Sequence, residues 1–397
     1  MRLIEYQNSS RLMMMLSNLL TAKIRVFLSF FLYAFVLAAI FPRLGDLQLK
    51  MGISEGTLGA VLIGFALGAQ ISLMFAGPLI EHFGFRTIFL AGIPILGFAE
   101  FAATLAPTPF TFFLCLTIGG LAIGAIEIIV NLEADRTEHL LKKRIMNRAH
   151  AFWSFGFFAA GMAAAAIAQL GIDPAIHLFV MSTFATILSF ILFWNFDPAP
   201  PRSSGEKTGP KFVKPTSAIM LLVAFTLSAM LLEGAGADWS VIYMRDVFDT
   251  PPFINSLALA FGALTQAFVR YFADGFVDRR GPVKIAKTLI ATLGLGTLLV
   301  AFAPNPMVAL LGFALMGAGT SVVFPLAMSA AAQRTDRPAA TNVAALAQLA
   351  FITFLIAPPI LGFIAEHFGI RVSFGIGLPL IVLSWFTLHS IDPKIKT

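Results

Sequence analysis

The stretch DPAPPRSSGEKTGPKFVKP, residues 197–215, is the longest polar break in a chain that is otherwise dominated by apolar residues. Its prolines and basic residues prevent it from packing as a helix inside a bilayer. Of the 397 residues in the chain, 58% are hydrophobic and only 12% are charged. A soluble protein of this length would need many more charged side chains to cover its surface. The composition therefore predicts an integral membrane protein.

Apolar stretches of about 20 residues recur on both sides of this break, and each is long enough to cross a hydrocarbon core of roughly 30 Å as a helix. Six precede the break and six follow it. They cover residues 24–43, 56–79, 87–106, 110–135, 149–171, 175–196, 216–244, 253–276, 283–303, 306–330, 339–365 and 370–390. We therefore predict an all-α polytopic protein of twelve transmembrane helices. Its parts are an N-terminal tail (1–23), a six-helix bundle (24–196), a linker (197–215), a second six-helix bundle (216–390) and a C-terminal tail (391–397).

The distribution of basic residues supports this count of spans. Most of the 27 Lys and Arg residues fall in loops and tails on one side of the membrane, whereas Arg43, Lys50, Arg245 and Arg371 fall on the other and Arg270 lies inside a span. Such an asymmetry predicts that both termini are cytoplasmic, as in a bacterial inner-membrane protein. It also explains the net charge of +6 without a nucleic-acid partner.

The sequence lacks the motifs of several enzyme classes. There is no P-loop, no H-E-x-x-H and no cysteine–histidine cluster, and Cys115 is the only cysteine. A serine hydrolase would need a G-x-S-x-G elbow, which is also absent. We therefore predict no enzymatic activity, no cofactor and no metal site.

Each predicted bundle has a basic turn after its second span, GPLIEHFGFR at 77–86 and DGFVDRRGPVK at 274–284. Matching turns at matching positions indicate an internal duplication. Such a turn needs glycine for a tight backbone, a carboxylate near a helix N-terminus and basic residues facing the anionic leaflet. Simple anchoring by positive charge is the alternative. The charged residues of these turns that are candidates for gating or structural roles are Glu81, Arg86, Asp274, Asp278 and Arg279.

These turns resemble the hallmark motif of the major facilitator superfamily, in which a glycine precedes an acidic residue, a basic residue and a second glycine. The matching residues are Gly77, Gly84 and Arg86 in the first copy and Asp278, Arg279 and Gly281 in the second. The departures are Glu81 in place of Asp, His82 in place of a basic residue and Asp274 in place of the first glycine. The resemblance implies two six-helix bundles around a central cavity that opens alternately to the two sides.

A narrower resemblance rests on NLEADRTEHLLKKRIMNRAHAFWSFG at 131–156, EGAGADWSVIYMRD at 233–246, and PLAMSAAAQ at 325–333 with APPILGFIAE at 357–366. Together these stretches look like a poorly characterised bacterial branch that is grouped loosely with fucose–proton symporters. The resemblance implies a sugar-like solute and a proton-carrying carboxylate in the fourth span, for which Glu127 is the nearest counterpart.

An ionisable residue inside a span costs roughly 3 kcal/mol on insertion scales, so each one needs a partner, a cavity or a function. In the fourth span, Gly120, Gly124, Glu127, Asn131 and Asp135 share one helical face, which we expect to look inward. Glu127 is then a candidate proton carrier and Asn131 a candidate cavity residue. The alternative is that both only hydrogen-bond to neighbouring helices.

In the fifth span, His150, Trp153 and Ser154 lie on one face and offer a donor, an aromatic plate and a hydroxyl. This set suits a substrate with hydroxyl groups or a ring. Trp153 lies near the end of the span, where tryptophans also gather as interfacial anchors. Binding and anchoring therefore both remain open for this residue.

Glu233 lies near the middle of the seventh span, beside Gly234 and Gly236. The glycines weaken the helix and let it bend or let a ligand approach the backbone. A hinge with a carboxylate at mid-membrane fits alternating access, so Glu233 is the second candidate proton carrier. The alternative is a structural acid that hydrogen-bonds to a facing helix.

Two further predictions concern the outer part of the seventh span. Asp238 shares a face with Arg245, so we expect the two to pair or to form a gate. Trp239 and Tyr243 are four residues apart, and we expect them in the aromatic belt at the interface.

In the eighth span, Gln266, Arg270 and Asp274 repeat every four residues. An Arg270–Asp274 pair would neutralise much of the cost of burying the guanidinium, so we expect a structural or gating pair there. Binding of an anionic substrate by Arg270 is the alternative. Weaker candidates for cavity positions are Tyr33, Gln70, Asn342 and Gln348.

The leading hypothesis is a proton-coupled secondary transporter, in which protonation of Glu127, Glu233 or both neutralises the cavity. Its partners would be a small-molecule substrate, protons and the lipid bilayer, with the chain acting as a monomer. Export of drugs or lipid-like molecules, coupling to sodium, and a receptor or scaffold with a transporter fold are the alternatives.

Overall fold

The computed structural model describes residues 22–200 and 214–392, and the ordered elements in these ranges are helices, with no strand. The predicted all-α class is therefore confirmed, whereas the predicted tails and most of the predicted linker lie outside these ranges. The helices are α1 (Ala22–Leu37), α2 (Leu44–Met51), α3 (Glu55–Met74), α4 (Ala76–Thr104), α5 (Pro109–Leu141), α6 (Met146–Gln169), α7 (Pro174–Phe193), α8 (Ser217–Phe248), α9 (Pro252–Arg280), α10 (Pro282–Phe302), α11 (Pro306–Thr320), α12 (Val323–Ala332), α13 (Ala339–Phe368), α14 (Ile370–Gly375) and α15 (Gly377–Phe386). Residues 22–200 are called the N-terminal half and residues 214–392 the C-terminal half.

Eleven segments of the described chain are long and apolar enough to cross a membrane. A further apolar segment, Ile370–Phe386, is shorter and divides at Ile376 into α14 and α15. Each of the twelve predicted stretches corresponds to one of these segments. The side of the bundle on which α3, α5, α7 and α9 end is called the basic face, and the opposite side the far face.

The first and tenth spans are also interrupted, and each break lies close to a proline. The first span ends its helix at Leu37 and resumes through a 3-10 turn, Phe41–Arg43. The tenth span divides after Thr320 and resumes at Val323. Proline has no N–H to donate to the carbonyl four residues earlier. Pro42 and Pro325 therefore leave carbonyl groups in the two breaks without their usual helical donors.

The glycines of the two basic turns have the conformation that the sequence predicted for them. Gly84 has φ 66° and ψ 174°, and Gly281 has φ 80° and ψ 155°. Side chains other than glycine rarely adopt such positive φ values. Gly369 on the far face has φ 88° and ψ 150° and follows the sequence EHF, as Gly84 does. The same turn is thus used three times in the chain.

The packing of the helices repeats between the halves, in agreement with an internal duplication. In the N-terminal half α3 packs on α5, α4 on α5 and α1 on α6; in the C-terminal half α9 packs on α11, α10 on α11 and α8 on α13. The halves meet mainly along two seams, α6 against α9 and α3 against α13. A two-fold rotation that exchanges the halves would convert each seam into the other.

Glycines let α5 approach α3 until the backbones touch. A Cβ at Gly68 would lie 2.1 Å from the Thr117 carbonyl oxygen, and a Cβ at Gly120 would lie 2.3 Å from that of Phe65. Both distances are too short for real Cβ contacts. The glycine part of the α5 face therefore packs against α3, and the prediction that it looks into a cavity is wrong for Gly120.

The predicted interfacial position of Trp239 and Tyr243 is wrong. Both side chains are fully buried, and the Tyr243 hydroxyl donates to the Val300 carbonyl oxygen at 2.6 Å. Tyr243 also packs edge-on against Phe313 and Phe374. Spacing along a single helix could not distinguish an interfacial belt from a buried aromatic cluster, because both place aromatic rings near the end of a span.

The close approach of α3 and α5 predicts different outcomes for two glycine substitutions. Gly120→Ala should destabilise the fold by about 1–3 kcal/mol, because the added methyl group forces the helices apart. Gly275→Ala is the matched control, since a Cβ there meets no atom within 4 Å. It should leave stability unchanged or raise it by up to about 1 kcal/mol through helix propensity. Thermal unfolding of the purified protein in detergent measures both, and equal melting temperatures would contradict the packing argument.

Candidate functional site

Arg270 of α9 is the centre of a buried polar network between the halves. Its Nη2 forms an ion pair with Glu233 Oε1 of α8 at 3.2 Å, and its Nη1 donates to Ser154 Oγ of α6 at 2.8 Å. Its Nε donates to the Ser321 carbonyl oxygen at 2.9 Å. The guanidinium also lies 5.8 Å from the ring centroid of Trp153. Every nitrogen of this side chain therefore has a partner, as burial of a guanidinium requires.

The break between α11 and α12 supplies one of these partners. In an unbroken helix the Ser321 carbonyl would accept from the N–H of residue 325, but that residue is Pro325. Arg270 Nε takes the place of the missing donor. The position of a proline four residues after Ser321 was the available sequence signal, but only the fold shows that Arg270 reaches this carbonyl.

The predicted Arg270–Asp274 pair is wrong. Asp274 instead accepts a hydrogen bond from Asn147 Nδ2 of α6, while Arg270 pairs with Glu233. Residues four apart on a helix are close enough to interact, yet partners on neighbouring helices compete for the same groups. The partners of Arg270 and Asp274 come from three other helices, so periodicity within α9 could not reveal them.

A second part of the network lies in the N-terminal half around Glu127. Asn131 Nδ2 donates to Glu127 Oε1 at 2.9 Å, and Asn131 Oδ1 lies 3.2 Å from His150 Nε2. Tyr33 of α1, which is 2% exposed, lies close to Glu127. The ring of Phe30 meets His150 edge-on at 5.1 Å. Helices α1, α5 and α6 thus hold this carboxylate among hydrogen-bonding groups.

Ser154 connects the two parts of the network. Its hydroxyl accepts from Arg270 and donates its single proton either to Gln266 Oε1 at 2.9 Å or to the His150 carbonyl oxygen at 3.3 Å. Gln266 Nε2 in turn donates to Thr320 Oγ1 at 3.3 Å. Hydrogen bonds therefore run from α5 through α6 to α9 and α11, across the seam between the halves.

The negative and positive charges of this network do not balance. Glu127 and Glu233 are its two carboxylates and Arg270 is its guanidinium. The Coulomb interaction of Arg270 extends to Glu127 as well as to His150. With both carboxylates ionised, these three groups carry one excess negative charge in a medium where an unbalanced charge is costly. Binding of one proton by either carboxylate removes the excess.

A small cavity adjoins the network and is lined mainly by the C-terminal half. Its volume is about 70 Å³. The polar lining residues are Glu233, Gln266 and Thr320, and aromatic walls come from Trp153 and Phe157 of α6. Four of these five side chains belong to or adjoin the network of Arg270. The cavity is thus amphiphilic.

Contacts between the halves close the basic face below the network. Asn147 and Asp274 are hydrogen-bonded, and Arg144 Nη1 lies 3.6 Å from Asp278 Oδ1 in an exposed ion pair. Arg148 lies over the ring of Tyr271 at 5.4 Å. All three contacts join the start of α6 to the end of α9. Asn147 was not singled out in the sequence, because an asparagine near a basic loop has no distinctive spacing.

The far face is closed by Arg245 and by two helix caps. Arg245 donates to the Gly45 carbonyl oxygen at 2.8 Å and to Gln48 Oε1 at 2.9 Å, both in the N-terminal half. Its carboxylate partner is the adjacent Asp246, so the predicted pair with Asp238 is wrong. Arg245 nevertheless contacts the N-terminal half, and its gating role stays a prediction.

The two caps have equivalent positions in the two seams. Glu366 Oε2, near the end of α13, accepts from the Gly56 N–H at the start of α3 at 2.9 Å. Gln169 Oε1, the last residue of α6, accepts from the Phe253 N–H at the start of α9 at 3.2 Å. Each satisfies an orphan donor of a helix in the other half. Both faces thus carry contacts that join the two halves.

The remaining predicted residues lie outside this network. Gln70 is half-buried on α3, and Gln348 is half-buried on α13 and has contacts of its own. Asn342 is buried and donates to Asp336 Oδ1 at 2.9 Å in the turn before α13. Although burial acts to raise it, the hydrogen bond from Asn342 and the charge of Arg334 lower the pKa of the Asp336 carboxyl.

The charged residues that were predicted to have gating or structural roles have separate surroundings. Arg86 is exposed and donates to the Trp194 carbonyl oxygen at 3.3 Å, and Arg279 is exposed at the end of α9. The Glu81 side chain lies outside the described side chains. Asp238 is half-buried on α8.

Comparison with known proteins places the chain among bacterial transporters. It is 26% identical over 349 residues to an uncharacterized MFS-type transporter of Yersinia pestis, covering 88% of this chain and 90% of that protein. It is 29% identical over 327 residues to an uncharacterized transporter of Sinorhizobium fredii, covering 81% and 85%. Among solved structures, a D-xylose-proton symporter superposes with a TM-score of 0.72 at 13% sequence identity, covering 94% of this chain and 98% of that one.

The match to a family profile agrees with the fold and with the repeated turns. The profile of the Major Facilitator Superfamily matches residues 26–352 and again residues 221–396, which together cover nearly the whole chain. The second match begins in the C-terminal half, as expected if that half repeats the first. The chain therefore belongs to the Major Facilitator Superfamily of membrane transporters.

Proposed function

We propose that this protein is a secondary active transporter that moves a small organic solute, sugar-like or otherwise polar or amphiphilic, together with protons. The observation that carries the proposal is the buried network of Glu127, Glu233 and Arg270, which crosses the seam between the halves beside a cavity. It is supported by the fold shared with a D-xylose-proton symporter. The substrate-facing groups would be Glu233, Gln266 and the Trp153 ring.

The network couples protonation to opening in the following way. Opening of the cavity separates α6 from α9, which breaks the contacts of Ser154 with Gln266 and Arg270. Exposure of Glu127 and Glu233 to one aqueous side lets a proton reach the pair. The proton removes the excess negative charge, so the cavity closes again at lower cost. Release on the other side restores the charge, and the solute moves with the proton.

The placement of the protein in the membrane is part of the proposal. The basic face is cytoplasmic, because short loops rich in Lys and Arg stay on that side. Both termini then lie in the cytoplasm of a bacterial cell, and the far face opens to the outside. The functional unit is a monomer, since each half supplies its own part of the network and of both seams. The proteoliposome experiment described next is designed to identify the direction of transport, the coupling ion and the solute.

Replacement of Glu127 tests the coupling. Glu127→Gln keeps an oxygen that can accept from Asn131, but it cannot bind or release a proton. In proteoliposomes loaded with a pH dye and screened against sugars, amino acids, organic acids and cationic drugs, wild type should show a solute-dependent pH change. Glu127→Gln should lower this signal by at least about tenfold, which corresponds to the lower end of the free energy lost with one charged hydrogen-bonding group.

Glu100→Gln is the matched control for that experiment. Glu100 is a carboxylate of α4 that is 1% exposed and lies outside the network. Its substitution should leave the pH change intact. Equal loss in both variants would indicate a general defect, and a folded wild type with no solute-dependent signal would favour sodium coupling, uniport or a receptor.

The Arg270–Glu233 pair predicts a definite order of stabilities. Arg270→Gln leaves two carboxylates without a cation. In Glu233→Gln, by contrast, the negative charge of Glu127 still offsets the positive charge of Arg270. Arg270→Gln should therefore be the less stable single variant, and the double variant should recover part of the loss. The loss should be smaller than the roughly 3–5 kcal/mol of fully buried pairs, because 27% of the Glu233 side chain is exposed. Melting temperatures measure the order, and additive losses in the double variant would refute the pairing.

A further inference from the structure

The lipid-facing surface of the α6–α9 seam carries an aromatic stripe on α9. Phe268, Phe272, Gly275 and Arg279 recur at spacings of three and four residues, so they lie along one face of the helix. Phe268 is 52% exposed and Phe272 is 54% exposed. At Gly275 a Cβ would meet no atom within 4 Å, which leaves a notch in the stripe.

The opposite wall of this surface comes from the N-terminal half. Phe155 of α6 meets Phe268 edge-on at 5.8 Å, and Arg148 of α6 lies over Tyr271 at 5.4 Å. Both halves therefore line the surface from mid-membrane to the basic face. Phe268 and Arg279 are eleven residues apart, which spans about 16 Å along a helix. That length matches half of a hydrocarbon core of roughly 30 Å.

The end of this surface that lies at the basic face is strongly cationic. Arg279 ends the stripe, and Lys142, Lys143 and Arg144 follow α5 across the seam. All four side chains are exposed. Arg144 lies 3.6 Å from Asp278, but within the described part of the chain Lys142, Lys143 and Arg279 have no ion pair or side-chain hydrogen bond. Cationic side chains are thus available for an external anion.

The equivalent seam between α3 and α13 offers a contrast. Its neighbouring arginines are engaged by the protein itself: Arg86 donates to the Trp194 carbonyl oxygen, Arg337 donates to that of Lys214, and Arg334 pairs with Asp336. Positive charge near a basic face is general among membrane proteins. Unengaged positive charge above an aromatic stripe distinguishes the α6–α9 seam from its counterpart.

We propose that this surface binds one anionic phospholipid. One acyl chain lies along Phe268 and Phe272 and fills the notch at Gly275, and the phosphate is bound by Arg279 and Lys143. Because the two cations belong to different halves, the lipid joins the halves at the basic face and stabilises the closed seam. An anionic headgroup is attracted by each nearby basic residue. Because the stripe is about as long as half of the hydrocarbon core, one lipid can place its acyl chain on the stripe and its phosphate at the basic residues.

The test compares lipids of identical acyl chains on the purified full-length protein. Native mass spectrometry and melting temperatures are recorded with phosphatidylglycerol and with phosphatidylcholine. Wild type should retain phosphatidylglycerol in preference and melt at a higher temperature with it. The variant Lys143→Gln with Arg279→Gln should bind it with roughly 25-fold lower affinity, about fivefold for each basic residue. Arg279→Lys should keep most of the binding.

Two further arms separate this site from general attraction to a basic surface. Arg86→Gln with Lys214→Gln removes the same charge away from the seam and should leave the lipid preference intact. Gly275→Leu fills the notch and should lower lipid retention without lowering the melting temperature of the lipid-free protein. Equal loss in the two charge variants, equal binding of phosphatidylcholine, or equal stabilisation by water-soluble glycerol phosphate would each overturn the proposal.

Discussion

Burial of the Arg270 guanidinium is the constraint on which the centre of this structure depends. A cation at this depth is tolerated only where carboxylates and hydrogen-bond acceptors surround it. Two helices and one helix break meet that demand: Glu233 comes from α8, Ser154 from α6, and the Ser321 carbonyl from the break between α11 and α12. The break itself depends on Pro325, which has no N–H to donate to the Ser321 carbonyl and so leaves that carbonyl available to Arg270. One side chain thus links the proline kink of a span, the ion pair and the seam between the halves.

The seams explain how such a network can also move. Within each half, α3 and α5 or their counterparts touch backbone to backbone through glycine, and such contacts leave little freedom. Between the halves the α3–α13 seam also has backbone contact at glycine, since a Cβ at Gly59 would lie 2.4 Å from the Pro358 carbonyl oxygen. The seams have single polar contacts as well, such as Glu366 with the Gly56 N–H and Asn147 with Asp274. Polar contacts exchange for water at small net cost, whereas close packing does not. The polar contacts are therefore the parts of the seams that water can replace most readily, as alternating access requires.

The duplication gives the two seams the same geometry but different chemistry. The caps on the far face are related by the same rotation that relates the halves, yet one is the carboxylate of Glu366 and the other the amide of Gln169. The arginines beside the α3–α13 seam are engaged by the protein, while the basic residues beside the α6–α9 seam are exposed. The two seams thus share a backbone geometry but present different side chains to their surroundings.

The sequence by itself determined the membrane class, the all-α architecture, the spans on either side of the polar break and the duplicated turns. These follow from properties of single segments: apolar length, positive charge and the need for glycine at positive φ. The sequence also singled out Glu127, Glu233 and Arg270, because an ionisable residue in an apolar span is recognisable without knowledge of its orientation.

Only the tertiary structure decided which groups are partners. The sequence predicted Arg270 with Asp274 and Asp238 with Arg245, since these pairs are close along one helix. In the fold, Arg270 pairs with Glu233 and Arg245 reaches Gln48, because residues on neighbouring helices compete for the same charges. Likewise Tyr243 was predicted at the interface and is buried against Phe313. Partner choice depends on distances between helices, which periodicity within one helix does not contain.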